Sequence, residues 1–139
     1  MSDNFLLIKS KINIEAANHI KKTYSNTSVH CSYYSCYQIF KHVLNHKVGK
    51  SDAEIKKQND SKVNKLGSHE IVIELLLENI RVLDKKAHDS LRMWICDLKN
   101  CRHIADYSDE KIDESKGEAA YDLAIKIDEN LNKLYYYKK

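Results

Sequence analysis

The chain has 139 residues, a formal net charge of +3, no proline, three glycines and four cysteines. A chain of that length forms one domain that buries roughly 70% of the surface exposed on unfolding, so it needs no disulfide framework. The small charge does not by itself argue for a nucleic-acid partner. The lack of proline, with so few glycines, excludes a fold of many short strands and tight turns.

Taken in chain order, the apolar residues recur every three or four positions, which predicts helices. A first helix runs from about Asn4 to Tyr24, with Leu7, Ile8, Ile12, Ile14, Ala17 and Ile20 inward. Ser25-Asn26-Thr27 breaks the pattern, and a second helix begins near Thr27 and reaches about His46. Its inward stripe is Val29, Tyr33, Cys36, Phe40 and Leu44. The lysine-rich stretch from about 47 to 67 is too polar for core and too long for a turn, so it reads as a mobile loop with at most one helical turn.

Ser68 reads as the N-cap of a third helix carrying Ile71, Val72, Leu75, Leu76 and Ile80 and ending near Leu83, shorter and tilted. A fourth runs from about His88 to Asp106, with Leu91, Trp94, Leu98, Cys101 and Ala105 inward and Arg102 and Asp106 four apart on the flank. Ser115-x-x-Glu118 has the pattern of a capping box, opening a fifth helix with Ala120, Leu123, Ile127, Leu131 and Leu134 inward. Residues 1–139 thus read as a single all-α domain, an up-and-down antiparallel bundle of four main helices and a shorter tilted one.

No apolar run approaches the ~20 residues that span a bilayer, and Phe5-Leu6-Leu7-Ile8 is shorter than a signal-peptide core. A cytoplasmic protein is therefore expected, with Cys31, Cys36, Cys96 and Cys101 reduced and serving as small buried residues. Zinc is the weaker reading, because cysteines five apart on a helix diverge by roughly 140°. His42 and His46 are spaced for two metal ligands, but no third ligand is identifiable; no metal and no cofactor are expected. Tyr135-Tyr136-Tyr137-Lys138-Lys139 mixes aromatics and cations as single-strand binders do, although a frayed terminus explains it as well.

Three pieces in order carry a resemblance: Tyr33-Tyr34 in the second helix, Gly67-Ser68-His69 opening the third, and Arg102-His103-Ile104-Ala105-Asp106-Tyr107 ending the fourth. Together they resemble the HEPN domain, over about residues 10 to 134. The resemblance implies a homodimer whose fourth helices meet end to end around a shared groove, and a role in binding or cutting RNA. Such proteins serve as ribonuclease toxins, as defence proteins, or as partners of a minimal nucleotidyltransferase in toxin-antitoxin systems. Arg102, His103, Asp106 and Tyr107 would be the catalytic candidates, and Tyr33, Tyr34, His69, Lys99 and Asn100 the RNA- or partner-binding ones.

One departure governs the expected activity. The nuclease branch places a His after four to six residues beyond its Arg, where this chain has Tyr107, Ser108 and Asp109. Arg81 and His88 have the spacing but straddle a predicted turn, and His103 points about 100° from Arg102 on a helix. A carboxylate beside an arginine is a weakened base, and Arg102 with Asp106 reads more readily as a screened helix pair. Still, Arg stands at 102 in a chain with only three arginines, and a guanidinium grips phosphate bidentately where lysine cannot. The ordered expectations are an RNA-binding or nucleotidyltransferase-partnered module with weak or no catalysis, a metal-independent endoribonuclease with a divergent site, and a purely structural oligomerisation bundle.

Overall fold

A computed structural model describes residues 4–138. Met1, Ser2, Asp3 and Lys139, the last of which belongs to the terminal aromatic-cationic cluster, lie outside the described residues. Six helices account for the fold: α1 (Phe5–Ile20), α2 (Ser25–Val43), α3 (Asp52–Asp60), α4 (Ser68–Leu83), α5 (Lys85–Tyr107) and α6 (Glu114–Tyr135). The protein is an all-α helical bundle. Among the described residues, no helix is long and apolar enough to cross a membrane.

The expected stripe of α2 is fully buried, and α2 packs against α1, α4, α5 and α6. Toward α1 it presents small residues: Ser28 donates to the Ala17 carbonyl at 2.8 Å, and Ser10 donates to the Ser35 carbonyl at 2.8 Å. This serine seam brings the two backbones close and sets α1 antiparallel to α2. The same seam corrects the reading of the first helix, because Ile8 and Ile12 are exposed while Ser10 is buried.

Short links turn the chain around, and cross-helix contacts fix the directions. Glu74 meets Arg92 and Glu70 meets Lys99, so α4 and α5 are antiparallel. Gly117 faces Ser25 and Ala124 accepts from Cys36, so α6 runs with α2, whereas Asn26 meets Ala105 and Tyr33 meets Arg102, so α5 runs against both. In contrast, His69 meets Tyr33 and Tyr37 at the start of α4, so α4 runs with α2 and the link between them crosses over the bundle.

That link is the stretch read as a polar loop, and its centre is helical. A π turn at Leu44–Val48 ends at Gly49, whose φ of 88° suits glycine; α3 then spans nine residues. Ser51 and Glu54 form a reciprocal capping box, and Ile55 anchors α3 in the core.

Other boundaries shift for local reasons. The short helix is α3, while α4 is as long as α1 at 16 residues. Gly67, not Ser68, is the N-cap of α4, and Asp113, accepting from the Lys116 amide at 2.9 Å, replaces the expected Ser115 box. Cys96 is exposed, whereas Cys36 is buried. The C-terminal segment docks rather than fraying: Tyr137 is buried and donates to the Asp128 carbonyl at 2.8 Å, and the Tyr135 hydroxyl donates to Asn79 at 2.6 Å.

Gly117 in the first turn of α6 faces the α1–α2 link, where an added Cβ would lie 2.7 Å from the Lys21 carbonyl oxygen. Gly117→Ala should therefore lower stability by about 1–3 kcal/mol, read from the urea midpoint.

His42 is buried with Nδ1 unpartnered, and burial, then His46 and Lys47, hold its pKa below 6.5. The native state keeps it neutral, so its contribution is complete above the unfolded value and is lost as pH falls through the lowered folded one. The urea midpoint should drop as pH is lowered from about 6.5, and His42→Leu should flatten that drop.

Candidate functional site

The buried side of α5 runs Leu91, Ile95, Leu98 in steps of four and three, and the next position on that stripe is Arg102. A guanidinium thus stands where a core residue is due, and its side chain is only 12% exposed rather than set on a solvated flank. The guanidinium carbon lies 4.8 Å from the centre of the Tyr33 ring, 5.7 Å from that of Tyr107 and 6.0 Å from that of Tyr34. Aromatic faces at that range stabilise a cation but accept no N–H in ordinary hydrogen-bond geometry.

Its donors are largely unspent. Nε is buried with no partner among the described residues, and Nη1 lies 3.7 Å from Asp106 Oδ2, an ion pair beyond hydrogen-bonding range. Arg92 makes the contrast, gripping Glu74 with two bonds of 2.8 and 3.2 Å. A buried donor without an acceptor costs free energy, so Arg102 has an ion-pair partner in Asp106 but lacks an acceptor at Nε.

Around it stand groups from three helices. His69, in the first turn of α4, stacks on Tyr37 with centroids 4.0 Å apart, and its Nδ1 lies 3.4 Å from the Tyr33 hydroxyl. Burial, then the charges of Arg102, Lys99 and Lys41, hold its pKa down. Burial pushes the Tyr33 phenol up to about 12 against the opposing pull of Arg102. Lys99 pairs with Glu70 at 3.0 Å. His69, Glu70, Lys99 and Arg102 line an open depression of about 290 Å³, which Tyr34, Tyr107 and the start of α4 also border. Gly67 offers no capping side chain there, so the first-turn amides of α4 add positive potential.

Tyr33, Tyr34, His69, Lys99, Arg102 and Tyr107 are thus brought together. His103 is exposed and meets the group only through Tyr107, with ring centroids 5.1 Å apart. Asn100 is exposed and joins it by no hydrogen bond among the described residues.

The sequence reading missed His30. From α2, its Nδ1 lies 2.9 Å from Oδ2 and 3.1 Å from Oδ1 of Asp106 on α5. Asp106 therefore stands between an imidazole and the Arg102 guanidinium. A signal was present, because His30 is four residues before Tyr34, and its ring packs 4.6 Å from that tyrosine. Among the described residues no group of three or more His, Cys, Asp or Glu side chains comes together as a metal site.

No protein-family model, curated protein or solved structure matches the chain.

Removing the Arg102 charge should let His69 protonate more easily. In Arg102→Ala the His69 pKa should rise, followed by NMR titration of its ring protons; no change would place the cation outside its reach.

Proposed function

We propose that this protein is an RNA-binding module of HEPN-like character, acting as a dimer in a toxin-antitoxin or defence setting, with Arg102 holding a phosphate of the strand. The observation that carries the reading is the Arg102 guanidinium: largely buried, with Nε unpartnered and no hydrogen bond to its fork among the described residues, it faces an open depression beside a helix start. A phosphate supplies the missing acceptors and is favoured by the amides of α4. Tyr34 and the 69%-exposed Tyr107 offer faces on which unpaired bases stack, the usual recognition mode for single-stranded RNA.

A gel shift with labelled single-stranded RNA in EDTA tests this. Arg102→Ala should weaken binding about tenfold or more and reduce the slope of log affinity against log salt by about 1. Arg102→Lys should recover only part of the loss, because a point charge replaces a planar fork. Equal affinity in wild type and Arg102→Ala would exclude the assignment, and no retardation by the wild type would turn it toward a protein partner such as a nucleotidyltransferase.

A further inference from the structure

We infer that the RNA surface extends beyond Arg102 onto the lysine-rich link between α2 and α4, where Lys50, Lys57 and Lys62 hold the sugar-phosphate backbone of the strand as it leaves the depression. The inference rests on the RNA-binding reading above and gives that site a second half.

Charge points to the link first. Residues 47–66 hold six lysines against Asp52, Glu54 and Asp60, a surplus of three that equals the net charge of the whole chain. Outside the link the charges cancel. Within it, Asp60 serves both Lys56 and Lys65, and Asp52 serves Lys41 of α2. Lys47, Lys50, Lys57 and Lys62 have no carboxylate at ion-pair distance among the described residues. Lys50 donates instead to the Gln58 amide oxygen at 3.1 Å, which leaves its charge uncancelled.

The fold carries these cations to the site from both ends of the link. Tyr37 stacks on His69 at 4.0 Å, and Lys41 stands one turn further along α2. Lys41 reaches Asp52 in the first turn of α3 at 3.5 Å, and Asn45 donates to the Lys50 carbonyl at 2.7 Å. At the other end, Lys62 lines a groove of about 390 Å³ together with Glu70 and Lys99, and both of those residues also line the Arg102 depression. The link is pinned between these ends by buried Ile55 and by two hydrogen bonds of 2.9 Å between Asn59 and the backbone of Leu66. Its lysines thus stand on an ordered frame, and less freedom is lost when they engage a strand.

The other ways out of the depression are acidic. Past Tyr107 the chain continues through Asp109 and Glu110, and one and two turns beyond Glu70 on α4 stand Glu74 and Glu78. A polyanion is turned from both toward α2 and the link. Lysines meet phosphate as point charges, so these contacts position the strand without reading its sequence.

The experiment measures fluorescence anisotropy of a labelled single strand of about 12 nucleotides with the full chain, in EDTA and over a range of salt. Exchanging Lys50, Lys57 and Lys62 together for glutamine should weaken binding about tenfold or more and reduce the slope of log affinity against log salt by about 2. The same three positions changed to arginine should bind as the wild type does, which separates charge from folding. A control triple, Lys9→Gln with Lys86→Gln and Lys133→Gln, removes as much charge from exposed sites on α1, α5 and α6 and should leave the slope unchanged. A dinucleotide has one phosphodiester and fills only the Arg102 end. Followed by the ring protons of His69, it should bind wild type and link triple alike and Arg102→Ala more weakly.

An unweakened link triple, or equal weakening by the two glutamine triples, would overturn the inference while dependence on Arg102 keeps the RNA-binding reading. Absence of binding by the wild type would remove both.

Discussion

The bundle is organised by what α2 must satisfy on four sides at once. It offers serines to α1, where close approach matters more than apolar bulk, and a continuous apolar stripe to α5 and α6. Where α4 begins and α5 ends it presents His30, Tyr33, Tyr34 and Tyr37. A helix committed on every side has one rotation and one height available to it, so the positions of these rings follow from the packing of the whole bundle. The precision of the candidate site is thus a property of the core beneath it.

Arg102 shows where that packing departs from the demands of stability. An apolar residue on the same stripe would extend the core past Leu98 without leaving donors unpaired. The chain places a guanidinium there, supports it with three aromatic faces, and leaves its nearest carboxylate shared with a histidine. Arg92 makes two good bonds to a partly exposed glutamate and has no such deficit. Local sacrifice of stability at a cluster of converging polar groups is characteristic of places that bind something.

Much of the fold was legible because apolar spacing reports burial directly. The stripe of α2, the extent of α4 from Ser68 to Leu83 and the inward residues of α6 all follow from it. Spacing misplaces two faces: on α1 it favours Ile8 and Ile12 over the buried Ser10, and on α5 it favours Trp94 over the buried Ile95, a rotation that puts Arg102 on the flank. Ser51-x-x-Glu54 carried a start signal as plain as the one assigned to Ser115, but the surrounding lysines and asparagines masked a helix anchored by a single apolar residue, Ile55. Of the site, the Arg102, Tyr33 and Tyr34 grouping was visible through the resemblance. His30 was not, because a contact between residues 76 apart leaves no periodic trace.

The separation of His30 from Asp106 along the chain has a consequence for synthesis. As the polypeptide leaves the ribosome, α2 emerges well before the end of α5, and α6 must still dock against both before the bundle closes. The His30–Asp106 pair cannot form before the last turn of α5 has left the ribosome. The two halves of the site thus meet only late in synthesis, a delay imposed by the order of the helices.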